Sequence, residues 1–265
     1  MSLGDCFRVP TRILLAMAAI LFLCDHLPAQ QESYDPHKLM IARSHYEKGM
    51  KLLARDDLEG GEAQLLEAVG IFPQLVEGYL ALGNLSMQRG DFTQGLDRYT
   101  KAKNALLELQ AIKHQQEAER QRRIQESIDL LKERMDEMSR SQRPQDQGKV
   151  QQDMVKMERL EQERTKSQPS METPLTPEVH FLVGTALMKL ERFDAAAEEF
   201  RQALSLRPRF GEAHNNLAVV LYYRREYAEC WEHLRAAEGA GIRVDPGFLD
   251  ELSAVFPEPA ASQAP

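Results

Sequence analysis

Small and apolar residues return along this chain at an interval of 34. Gly49, Leu65, Ala68 and Pro73 form one set. Gly83, Gly95, Tyr99 and Ala102 form the next. Gly184, Ala196, Phe200, Ala203 and Pro208 form a third, and Ala218, Cys230, Leu234 and Ala237 a fourth. The sets define blocks 42–75, 76–109, 177–210 and 211–244, each long enough for two helices joined by a short turn. Fixed self-similarity at this period marks stacked repeats. Small residues at block positions 8, 20 and 27 let two helices approach closely. Large apolar residues at 7, 11 and 24 fill the seam. A proline at 32 stops the second helix. One such hairpin cannot bury its apolar face alone, so neighbours must stack on it. The expected class is all-α.

Residues 103–176 leave the register. Two worn repeats would fit by length, but Glu117, Asp129 and Asp136 stand where small residues are required, and no turn residue appears before Pro144. Leu107 replaces the terminating proline of the second block, so its second helix is free to run from about Phe92 to Ser141. Within it Ile124, Ile128, Leu131, Met135 and Met138 recur at alternating steps of four and three, a coiled-coil seam of about two heptads. SQRPQDQG breaks the helix. Val150, Met154, Met157 and Leu160 then predict a returning helix to about Lys166. The Pro-containing stretch 169–176 reads as an extended linker. Residues 103–141 would span about 58 Å as helix, and the return plus linker about the same. The insertion 103–168 is therefore expected as an arm that lets the flanking pairs, 42–109 and 177–244, still stack; the rival is two separate repeat pairs joined by a flexible rod. The arm serves as a spacer or, through residues 124–138, as a homodimer contact. After the last block, Asp245 and Pro246 open a helix over 245–256, with Phe248, Leu249, Leu252 and Val255 on one face. It would cap the solenoid. Residues 257–265 read as a disordered tail.

The blocks resemble the tetratricopeptide repeat, a pair of antiparallel helices. HFLVGTALMKLERFDAAAEEFRQALSLRP in block three fits nearly throughout. HNNLAVVLYYRREYAECWEHLRAAE in block four lacks the proline. YLALGNLSMQRGDFTQGLDRYTKA in block two departs at Leu107, and HYEKGMKLLARDDLEGGEAQLLEAVGIFP in block one has Lys48 at the Leu site and Gly61 at the Ala site. The resemblance implies a solenoid whose first helices line a concave groove for a protein or peptide. It puts Glu77, Leu80, Asn84 and Met87 of block two in that groove. From block three it adds Glu178, Phe181, Thr185 and Met188. From block four it adds Glu212, Asn215, Asn216, Val219, Tyr222 and Tyr223. Relatives that clamp an acidic C-terminus use Lys, Arg and Asn. Here position 2 is Glu in three blocks, which repels a carboxylate and suits an apolar or basic peptide. The alternative for the tyrosines is packing against the capping helix.

Charge and cysteines narrow the setting. The chain has 33 basic and 41 acidic residues, a net charge of −8, which argues against nucleic acid as partner. Arg8 and Arg12, the apolar run 13–24 and the polar DHLPAQ resemble a secretory leader over 1–30. Its processing would fall near Ala29–Gln31. The rivals are a retained membrane tether and lipidation at Cys24. The remaining Cys230 sits at a small-residue packing site and cannot form an internal disulfide. The expected location is exported, periplasmic or secreted.

Little suggests catalysis. His45, His180 and His214 share block position 4, but equivalent positions of successive repeats lie too far apart for one zinc. They are read as packing residues. Acidic pairs such as Glu198–Glu199 are read as solvated charges. No nucleotide-binding or nucleophile motif accompanies them, and no cofactor is expected. The function expected is a non-enzymatic interaction scaffold of the cell envelope. The alternative is a periplasmic holdase or assembly chaperone.

Overall fold

The computed structural model describes residues 35–141, 143–166 and 176–259. The expected leader, most of the linker and the end of the tail lie outside them. Ten helices appear among the described residues: α1 Pro36–Leu53, α2 Leu58–Ile71, α3 Val76–Gln88, α4 Phe92–Ser141, α5 Pro144–Lys166, α6 Pro177–Lys189, α7 Phe193–Leu206, α8 Gly211–Tyr223, α9 Tyr227–Gly239 and α10 Pro246–Val255. The protein is all-α and forms a helical-hairpin solenoid.

One turn is used four times. Block position 15 takes a positive φ in every block: Asp56 at 65°, Gly90 at 77°, Glu191 at 57° and Arg225 at 63°. The amide of position 16 then donates to the carbonyl of position 11, five residues back. The pairs are Asp57 to Leu52, Asp91 to Ser86, Arg192 to Leu187 and Glu226 to Leu221, at 2.9–3.0 Å. This left-handed cap satisfies carbonyls that the end of the first helix would otherwise leave open. The register also explains the glycines at position 8. A Cβ on Gly83 would lie 2.4 Å from the Tyr99 ring, and one on Gly184 2.8 Å from Phe200.

Beside a small cluster of Ala203, Phe210 and Ala213, the second pair has one large buried core. Phe200, Leu217, Leu221, Trp231, Leu234 and Leu252 belong to it, and so does Tyr99 from α4. Leu80, Met87 and Leu96 of the first pair pack against the same cluster. α4 therefore lies against α6 where the next repeat's first helix would lie, and the two pairs share a core across the inserted arm. Beyond that contact α4 continues to Ser141, 50 residues in all, and α5 returns alongside it. Three pairings mark the antiparallel course: Arg120 to Glu163 at 2.7 Å, Arg164 to Gln125 at 2.6 Å and Arg134 to Asp153 at 2.7 Å. Ile124 and Ile128 are buried in this hairpin.

Four details differ from the sequence reading. The break between the arm helices is short, because Pro144 opens α5 where its missing N–H costs nothing. Asp153, not Met154, sits in the seam: Asp153 is 3% exposed and Met154 is 44%. A guanidinium from Arg134 accompanies the buried carboxylate, so an ion pair replaces an apolar knob. Val255 of the capping helix is 53% exposed, while Leu252 on the same helix is fully buried. Phe256–Pro259 run back along α9 rather than leaving the surface. Asp245 caps α10 as expected, accepting from Gly247 N–H at 2.9 Å.

Candidate functional site

The first helices α3, α6 and α8 carry the residues expected in the groove, and the structure separates them into three groups. Glu77, Asn84, Glu178, Glu212 and Tyr223 are exposed. Leu80, Met87, Thr185, Met188, Asn215, Asn216 and Val219 are half-buried. Phe181 and Tyr222 are half-buried as well, but spend their rings on neighbours. Phe181 lies 5.0 Å from Phe210 and 6.0 Å from Phe200, centroid to centroid. Tyr222 meets Phe248 of α10 edge-on at 5.3 Å. Packing against the capping helix, the alternative weighed for the tyrosines, is thus what Tyr222 does. Tyr223 differs: one face stacks on Phe193 at 4.8 Å and 6°, yet the residue is 60% exposed.

Polar contacts join some of the set. Asn216 donates from its amide to the Thr185 hydroxyl at 3.4 Å, linking α8 to α6. Thr185 in turn donates to the Phe181 carbonyl at 2.8 Å. The Tyr99 hydroxyl donates to Asn84 Oδ1 at 2.6 Å, and burial pushes that phenol up to about 12. Glu178 pairs with Arg207. Glu212 has no ion-pair partner among the described residues. The face therefore presents amides, the exposed Tyr223 ring and acidic side chains. Lys189, exposed at the end of α6, is the lysine that α3, α6 and α8 contribute.

The position-4 histidines do more than fill space. Each reaches across its own hairpin to position 23. His45 Nδ1 lies 3.1 Å from Gln64 Oε1, His180 Nδ1 2.6 Å from Glu199 Oε2, and His214 Nδ1 2.8 Å from His233 Nδ1. Glu199 is not the solvated charge expected of it. Its carboxylate also accepts from Lys103 Nζ of α4 at 2.7 Å. Partial burial pushes the Glu199 carboxyl up, but the hydrogen bonds from His180 and Lys103 outweigh that and hold it below the usual carboxylate range. Because Lys103 belongs to the first pair and Glu199 to the second, this contact ties the pairs together. In the sequence the signal was present but unreadable: polar residues at 4 and 23 are 19 apart, and only the hairpin makes them neighbours.

Chemistry beyond binding finds little to use. Cys230 is fully buried, with its thiol 3.1 Å from the Ala218 carbonyl and pushed up to about 12 by burial. A thiol held protonated is a poor nucleophile. No three His, Cys, Asp or Glu side chains among the described residues are arranged to hold a metal ion. A hollow of about 400 Å³ lies in the arm beside Ile124 and Leu160. Its charges are committed to one another, as Arg120 with Glu163 and Arg123 with Glu119.

Residues 184–223 match the family described as TPR repeat. The match runs from the position-8 glycine of block three to the end of α8 and supports a TPR protein. Among solved structures, MamA AMB-1 is similar at 15% identity, over 93% of this chain and 91% of that one, with a TM-score of 0.47. PilW, whose title calls it a widely conserved type IV pilus biogenesis factor, is similar at 12% identity, over 82% and 86%, with a TM-score of 0.40. PilF of Pseudomonas aeruginosa is similar at 16% identity, over 83% and 86%, with a TM-score of 0.38. Likeness at this level carries no function across. No curated protein matches the chain. No described helix is long and apolar enough to cross a membrane.

Proposed function

We propose that this protein is a non-enzymatic interaction scaffold that takes a protein or peptide partner on the face of α3, α6 and α8. The carrying observation is the fourfold hairpin, with one turn and one hydrogen bond repeated, whose first helices feed the core and still leave Glu77, Asn84, Glu178, Glu212 and Tyr223 exposed. On that face the ligand-directed residues are Asn215, Asn216, Thr185, Val219 and the exposed Tyr223, beside Glu212. Amides hydrogen-bond an extended main chain, and an exposed aromatic ring takes an apolar or cationic side chain. An apolar or basic segment fits this better than an acidic C-terminus. Location outside the cytoplasm rests on the leader pattern of residues 1–30. A homodimer through 124–138 would need the hairpin to open, because Ile124 and Ile128 are buried inside it.

The test is crosslinking and capture from the protein's own envelope fraction, with Asn215→Ala and Tyr223→Ala beside the unchanged chain. One captured partner, reduced at least about tenfold by the double substitution at unchanged melting temperature, is the expected outcome. An unchanged set of captured proteins would sink the groove reading. Weak capture of many unfolded chains, with suppression of their aggregation, would move the assignment to the holdase alternative.

A further inference from the structure

The end of the solenoid carries a second recognition feature, on α9 rather than on the first-helix face. Tyr227, Trp231 and Arg235 recur every fourth residue and form one stripe along α9. The segment Phe256–Pro259 lies on it. The Phe256 ring stacks on Tyr227 at 6.0 Å and 27°. Trp231 donates from Nε1 to the Phe256 carbonyl at 3.0 Å. Arg235 lies 3.5 Å from the Glu258 carboxylate and 3.4 Å from the Pro259 carbonyl.

A plain end cap does not require this chemistry. At the equivalent position of block three stands Ala197, fully buried under α8 with no polar atom in its side chain. Block four places the chain's only tryptophan there. An indole N–H aimed at a main-chain carbonyl reads an extended backbone, and the two prolines keep that backbone extended while contributing no donors of their own. Arg235 then selects an acidic residue between the prolines. The occupant in place thus states what the stripe fits: aromatic, proline, acidic, proline.

We propose that the Tyr227–Trp231–Arg235 stripe is a docking site for an aromatic–Pro–acidic–Pro peptide of a partner protein, with the chain's own Phe256–Pro259 held on it as a strap. An incoming peptide of the same chemistry competes with the strap. The site lies on α9 and adjoins the first-helix face where the Tyr227 ring meets Tyr222 at 5.9 Å.

Trp231 supplies the readout, since no other tryptophan contributes to the emission. The probe is a synthetic peptide with the sequence of residues 256–265. A chain ending at Val255 is expected to show red-shifted emission, as the indole meets water, and saturable blue-shifting on addition of the probe. Arg235→Ala in that shortened chain weakens the probe's binding several-fold, and a probe with Ala in place of Phe fails to bind. The full-length chain binds the probe at least about tenfold more weakly, because the tethered strap is present at high effective concentration. Should the shortened chain lack a cooperative melt, the same titration is made on the full chain carrying Phe256→Ala and Glu258→Ala, which frees the stripe and keeps the backbone. No saturable shift in either folded form, or equal affinity with and without the strap, would overturn the proposal.

Discussion

The two repeat pairs share a register and solve it in opposite ways. The second pair puts large side chains at its seam and holds most of them in one large cluster that reaches α4, beside a small one around Phe210. The first pair has two small clusters, around Phe72 and Leu75 and around Leu65 and Leu82. It makes up the difference with polar contacts. Arg98 is buried and donates to Glu62 at 2.8 Å, to Ser86 Oγ at 2.9 Å and to the Leu82 carbonyl at 3.1 Å. The turns are opposite too. The first pair places Asp56 and Gly90 at the left-handed position, residue types that tolerate it, whereas the second places Glu191 and Arg225 there. A well-packed core can carry two unfavourable turns; a thin one is better served by turns that cost little. The first pair then leans on the second through α4.

The largest test of that dependence is a matched pair of core deletions. Phe200→Ala removes the centre of the shared cluster and is expected to cost about 3–5 kcal/mol, leaving a cavity the neighbours fill only in part. Leu65→Ala, its counterpart at block position 24 of the first block, is expected to cost about 2–4 kcal/mol. Hydrogen exchange separates their reach. Phe200→Ala should lower protection in α6–α9 and also in α3 and the root of α4. Leu65→Ala should expose α1 and α2 and leave α8 and α9 as they were. Equal loss of α9 protection in both variants would mean that the chain opens as one unit.

The next test acts on the tie between the pairs. Lys103→Ala leaves the partly buried Glu199 with His180 alone, a loss of about 2 kcal/mol for a charge-assisted contact. The pH dependence has a definite sign. The Glu199 carboxyl is held below its ordinary value of 4.5 in the folded chain. Its stabilisation is therefore complete above that value and is lost as pH falls through the lowered folded one. Urea midpoints from pH 7 down to pH 3 should fall more steeply in the unchanged chain than in Glu199→Gln. Parallel curves would remove Glu199 from the account.

What could be read from the sequence follows the same division. Helix ends were legible because they rest on residue types with one strong local preference. Asp245 caps α10, Pro246 opens it, and the absence of proline at Leu107 lets α4 run on to Ser141. Spacing of small and large residues gave the seam of each hairpin for the same reason. Partners of polar side chains were not legible. Glu199 looks like any surface acid until α4 brings Lys103 beside it. The seam of α5 was misread by one residue because Met154 continued an apolar spacing that Asp153 interrupts. On a helix one residue is a turn of about 100°, and a guanidinium from the facing helix was enough to decide the phase. Among the groove residues, Phe181 and Tyr222 look like ligand contacts by register, and only the placement of Phe210 and of α10 commits them inward.

The smallest expected effects sharpen the contrast most, because they test the turns apart from the cores. At block position 15, Glu191→Gly and Arg225→Gly release a left-handed conformation that costs a side chain about 1 kcal/mol, and give back part of that gain by loosening the unfolded chain. Each should stabilise by about 0.5 kcal/mol. Asp56→Gly should change little, since Asp tolerates this region of φ and its replacement gains no comparable relief. Gly90→Ala runs the other way and should cost about 1 kcal/mol, although open space surrounds the new Cβ. Thermal melts of the four single variants measure all of this at one repeat position, with the hydrogen bond from position 16 to position 11 unchanged. If glycine stabilised position 56 as much as it did 191 and 225, turn strain would be shared equally between the pairs. The trade between thin core and easy turn would then be lost, and only the difference in packing would remain.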